Sequence, residues 1–97
     1  MHRTTIERRL SDAHAQLVRA RAELAVIDEQ LVVAEEIADD TRLRALVSET
    51  LLASKEYDEA NRQATVMRQT RAALVGRVVD LERRQSDLLD RLVVDPG

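Results

Sequence analysis

The chain has 97 residues, 44% of them apolar and 34% charged, and its 15 basic and 18 acidic side chains leave a net charge of −3. That length supports one domain at most, and a single aromatic residue, Tyr57, excludes a compact core built on rings. Two glycines, one proline and no cysteine point to long helices, and they exclude disulfides and thiolate metal sites.

The first predicted element opens at Thr4, where Thr4 and Glu7 form a capping-box pattern. Apolar residues then fall at Ile6, Leu10, Ala13, Leu17, Ala20, Leu24, Ile27, Leu31 and Ala34. The spacing alternates four and three, which is the seam of a heptad coiled coil and not the period of a strand. Beyond Leu31 the stripe widens, and the expected buried set shifts to Val33, Ile37, Leu43, Leu46 and Val47. Glu35, Glu36, Asp39 and Asp40 lie within this shift. Their like charges at i,i+4 weaken a helix slightly, but no glycine or proline forces a break. A break and restart at Asp39–Asp40 is the alternative to a continuous helix, and the favoured expectation is one helix from about residue 4 to about residue 47.

A turn is expected over residues 48–54. Ser54 is the expected N-cap of a return helix over residues 55–93, with Glu56 in its first turn. The second seam reads Tyr57, Ala60, Ala64, Met67, Arg71, Leu74, Val78, Leu81, Gln85, Leu88 and Leu92. Arg71 and Gln85 interrupt it as polar entries, and both read as residues that set register and partner choice. Folding the chain at the turn brings Arg71 within reach of Asp28 or Glu35. Asp58 with Arg62, Asp80 with Arg84, Arg83 with Asp87 and Asp87 with Arg91 are opposite charges at i,i+4, each worth roughly 0.2–0.5 kcal/mol to a helix. Asp95, Pro96 and Gly97 mark the stop.

Catalytic chemistry has little to stand on. His2 and His14 are the only histidines, and neither has a histidine at i+4, so no metal site is expected. The acids at 35–40 lack the Glu-x-x-His pattern of di-iron bundles and read as a solvated patch. There is no glycine-rich phosphate loop, and a two-helix fold has no walled pocket from which to exclude water. No catalytic residue, cofactor or metal is therefore assigned, and the chain is read as not an enzyme. The arginine doublets Arg19/Arg21, Arg42/Arg44 and Arg83/Arg84 have acids beside them and no stacking aromatics, so nucleic acid is not an expected partner. No apolar run approaches the ~20 residues of a membrane span, and no leader is visible, so a cytoplasmic protein is expected.

The segments Leu43–Thr50 and Gln85–Leu92 resemble small coiled-coil proteins of high-GC Gram-positive bacteria. The resemblance spans most of the chain and implies a helical hairpin, without implying an activity. Two functional families are similar in shape alone. Anti-sigma hairpins that bind cyclic di-GMP carry a Glu-x3-Ser-x2-Arg-x3-Gln-x3-Asp motif; Glu7 and Ser11 match it, whereas His14, Val18 and Ala22 do not. Gre-type factors present acids at a coiled-coil tip to RNA polymerase. Asp39 and Asp40 lie about ten residues before the expected turn, too far back for that role.

The expected fold is all-α: one domain over residues 1–97, a long antiparallel helical hairpin that dimerises into a four-helix bundle. Beside the seams run apolar flanks, namely Val75, Val79, Leu89 and Val93 on the return helix and Val18 and Val32 on the first. A two-helix pair leaves such flanks in water, so they are expected to mediate self-association. The expected function is a protein–protein interaction or scaffold module that acts as a homodimer. The alternative is a regulator that binds RNA polymerase or a sigma factor through the same hairpin.

Overall fold

The computed structural model describes residues 2–94, which form two helices, α1 (Arg3–Ser48) and α2 (Leu51–Val94), and no strand. They make an antiparallel helical hairpin. Neither described helix is long and apolar enough to cross a membrane. The expected stop at Asp95, Pro96 and Gly97 lies outside the described residues.

α1 begins one residue before the expected Thr4. The His2 carbonyl accepts the Ile6 amide at 3.1 Å, which makes His2 the cap. Thr4 is therefore helical and cannot act in a capping box, and the Glu7 carboxylate instead accepts from Arg3 Nε at 3.0 Å. α1 then runs through Asp39 and Asp40 without a break.

The turn is shorter than residues 48–54 and consists of Glu49 and Thr50 alone. Glu49 has φ 53°, the left-handed conformation that ends many helices, although glycine is the usual occupant. Its amide donates to the Ala45 carbonyl at 3.2 Å, which satisfies one of the last carbonyls of α1. Thr50, and not Ser54, is the N-cap of α2. Its hydroxyl accepts the Ala53 amide at 3.2 Å, and its carbonyl accepts the Ser54 amide at 3.1 Å. A two-residue link suffices because one αL residue reverses the chain and the next residue caps the new helix at once. At the far end of α2, Arg91 lies in the last turn, where its charge favours the helix dipole.

The helices pack in two units. Unit 1 comprises Met1–Leu24 and Ala73–Gly97, and unit 2 comprises Ala25–Ala72. In unit 1 the buried core mixes large aliphatic side chains with two alanines. Ile6, Ala13 and Leu88 form one buried cluster, flanked by Leu10 and Leu92. Leu17, Ala20 and Leu81 form another, with Val78 against it. All of these are expected seam positions. Gln85, expected to set register, is half-buried between Leu81 and Leu88 in the sequence of the seam.

In unit 2 the core is made of small side chains. Ala34, Ala38, Ala60 and Ala64 form its buried cluster, with Met67 packed against them. Ala53 is buried nearer the turn, and Tyr57 is half-buried. The expected shift of the seam to Val33, Ile37, Leu43, Leu46 and Val47 does not occur: all five are exposed, by 51% to 85%. The four-three alternation instead continues through Ala34, Ala38, Thr41 and Ala45. Thr41 can occupy a buried position because its hydroxyl donates within its own helix, 2.8 Å from the Ile37 carbonyl and 3.0 Å from that of Ala38.

Candidate functional site

A heptad position repeats every seven residues and so returns to the same face of a helix. On α1 of unit 2, Gln30, Ile37 and Arg44 share one such position, and Val26, Val33 and Val47 share the neighbouring one. On α2, Leu52, Glu59 and Val66 share a third, and Glu56 and Gln63 a fourth. All of these except Val26, Glu59 and Val66 line one of two concavities between the helices. One, of about 390 Å³, lies between Val33, Ala34 and Ile37 on α1 and Gln63 and Met67 on α2, with Glu29 and Gln30 at its edge. The other, of about 440 Å³ and beside the turn, is walled by Leu43, Arg44 and Val47 on α1 and by Leu52, Ala53 and Glu56 on α2. Val26, Val33, Ile37, Leu43, Val47, Leu52 and Val66 are each more than half exposed.

The other side of unit 2 is closed by ion pairs. Arg68 Nη1 lies 3.1 Å from Glu35 Oε1, and Arg71 Nε pairs with Asp28 Oδ1. Arg71 thus meets one of its two expected partners, but not as a buried seam residue: its side chain is 44% exposed and that of Asp28 46%. The arginine stem reaches along the helix and leaves its charge in water. Asp40 is held by Arg44 at 2.6 Å, also on the surface. With Glu35 and Asp40 both paired to arginines, the acids at 35–40 behave as solvated helix surface.

In unit 1 the expected flank is on the surface. Val18, Val79 and Leu89 are about half exposed and Val93 more so, whereas Val75 is half-buried. Val75 and Val79 are one turn apart, as are Leu89 and Val93, so each pair shares a face. Val32, in unit 2, is 57% exposed. Arg21 and Glu82 join α1 to α2 at 3.3 Å in unit 1. The four expected i,i+4 pairs of α2 are not among the ion pairs of the described residues. Arg62 turns to Glu59 at 2.8 Å in place of Asp58. Arg9, Asp80, Arg83, Arg84, Asp87 and Arg91 instead line a charged groove, in which acids alternate with arginines.

Among the described residues no three His, Cys, Asp or Glu side chains converge as metal ligands, and no buried side-chain N or O atom lacks a hydrogen-bond partner. The surface feature that sequence reasoning missed is the apolar face of unit 2. Its signal was present, in that the heptad alternation continues through Ala38, Thr41 and Ala45. The large neighbours Val33 and Ile37 drew the eye from that small-residue seam. Compared with known proteins, the chain matches no family model, no curated protein and no solved structure.

Proposed function

We propose that the chain is a non-enzymatic coiled-coil interaction module that works by binding protein, itself included, with a homodimeric four-helix bundle as the working form. The observation that carries this reading is the placing of large aliphatic side chains outside the helix pair. Unit 2 centres its seam on four buried alanines and exposes valine, leucine and isoleucine beside it. Soluble monomers seldom leave so many large aliphatic side chains of one face in water, and a second helical layer would cover them. The unit 1 flank of Val18, Val75, Val79, Leu89 and Val93, and Val32 in unit 2, are further surfaces that such a layer could cover.

The alternative reading, a regulator of RNA polymerase or a sigma factor, would use the fold-back point as a probe and needs acids there. Glu49 is the one acid of the turn, and the residues around it are Leu46, Val47, Leu51 and Leu52, all exposed. An apolar tip suits burial against protein better than entry into a charged channel. The test is sedimentation equilibrium at micromolar concentration with light scattering. Twice the chain mass of 11.0 kDa is expected, and a stable monomer would overturn self-association.

A further inference from the structure

We propose that unit 2 docks onto unit 2 of a second copy about a two-fold axis that runs along the groove between α1 and α2, so that α1 of one copy lies on α2 of the other. This rests on the self-association reading and locates it. The argument comes from the turn. A two-residue link makes residues at equal distance from Glu49–Thr50 lie at equal height on the two helices. A two-fold axis parallel to the helices keeps height and exchanges α1 for α2, so each exposed residue of α1 meets the α2 residue of the partner at its own height.

The exposed residues match under that exchange. Val47 and Leu52 are equally far from the turn, and so are Val33 and Val66. All four are exposed; Val33, Val47 and Leu52 line the concavities, and Val66 shares the heptad position of Leu52. Arg44 and Glu56 stand one residue apart in height, on opposite walls of the groove beside the turn. The exchange brings Arg44 of each copy to Glu56 of the other, giving two symmetric ion pairs between two apolar contacts. Within one copy Arg44 is paired with Asp40, and Glu56 has no basic partner among the described residues. Ile37 stands one residue from the height of Gln63, across the concavity of about 390 Å³.

An axis perpendicular to the helices would instead lay α1 on α1 in opposite directions. Ile37 would then meet its own copy, and Arg44 would meet Gln30 and Glu29. That arrangement centres α2 on Arg62 and leaves Val66 facing the height of Asp58; the residue at the height opposite Glu56 is Arg68, which is held by Glu35 on the other side of unit 2. The parallel axis is the one that sets Val33 on Val66 and Val47 on Leu52 while it brings Arg44 to Glu56, unpaired among the described residues.

The chain has no cysteine, so single cysteines report the geometry directly. Chains carrying Val33→Cys and chains carrying Val66→Cys are mixed and oxidised. A disulfide-linked heterodimer is expected on a non-reducing gel, with little of either homodimer. Ile37→Cys is expected to remain monomeric on that gel, because the proposed axis keeps the two Ile37 positions apart; efficient self-linking would overturn the proposal in favour of the perpendicular axis. In solution, Arg44→Glu is expected to weaken association at least about tenfold. Adding Glu56→Arg to the same chain is expected to restore it, a rescue that loss of folding could not imitate. Wild-type chain that sediments as a monomer overturns the self-association reading itself. A dimer that survives Val33→Glu with Val47→Glu, yet dissociates with Val75→Glu and Val79→Glu, leaves that reading standing and moves the interface to the unit 1 flank.

Discussion

Units 1 and 2 use the same heptad alternation for opposite ends. In unit 1 the seam carries Ile6, Leu17, Leu81 and Leu88, each at most 6% exposed, and the helix pair hides its largest side chains from water. In unit 2 the buried cluster of the seam is Ala34, Ala38, Ala60 and Ala64; Ile27, Leu31, Tyr57 and Met67 are only half-buried, and several other large side chains sit outside the seam. Apolar burial scales with area, so a leucine in the seam contributes several times what an alanine does. Unit 1 therefore buries the larger aliphatic groups, while unit 2 leaves several of its own exposed. Periodicity alone locates a helix contact, and residue size decides whether that contact is the end of the packing or the beginning of it.

The sharpest way to break this comparison is to remove one large aliphatic group from each unit. Leu17→Ala is expected to destabilise the chain by roughly 3 kcal/mol, because it removes a fully packed side chain and leaves a cavity. Ile37→Ala, at a site 51% exposed, is expected to change the stability of the dilute monomer by less than about 0.5 kcal/mol. Urea denaturation followed by circular dichroism reads both, and similar losses would show that unit 2 hides more than its surface indicates.

Smaller changes sharpen the picture. Thr50→Ala should lower stability by about 1 kcal/mol through loss of the cap on α2, whereas Ser54→Ala should do little. Thermal melts of the pair decide which residue starts the helix. Gly76→Ala should raise stability by about 1 kcal/mol or slightly less, because a Cβ there meets no atom within 4 Å and the helix loses its most flexible residue. A fall in melting temperature would reveal a close approach at that face of unit 1. The smallest effect is expected from Arg71→Leu. Its ion pair with Asp28 is nearly half exposed, so the change should stay within about 0.5 kcal/mol in 0.15 M salt. A larger loss in denaturation would make the pair a structural requirement of unit 2.

Much of the fold was legible in the sequence. The α1 seam from Ile6 to Ala34 needs only the alternation of four and three, and every one of those positions is buried or half-buried. The hairpin followed from two such seams of similar length. The turn was harder to place because its reversal depends on Glu49 in a conformation usually signalled by glycine, and no glycine marks the site. Leu51 and Leu52 then looked like part of a loop, although they open α2. The apolar face of unit 2 was the least legible. A pattern reader assigns valine and isoleucine inward, and here the tertiary contact selected alanine and a self-bonded threonine instead. Of the expected unit 1 flank, Val18, Val79, Leu89 and Val93 lie outside the seam and are exposed, whereas Val75 is half-buried.

Tyr57 is the sole aromatic residue of the chain, and it is half-buried in unit 2 beside the alanine seam. Its emission is therefore a built-in optical reporter of that unit, while ellipticity sums the backbone of both. A thermal scan recording the two signals together separates loosening near the turn from loss of the whole hairpin, with no label added. Raising protein concentration should draw the tyrosine transition toward the ellipticity transition if a second copy clamps that region.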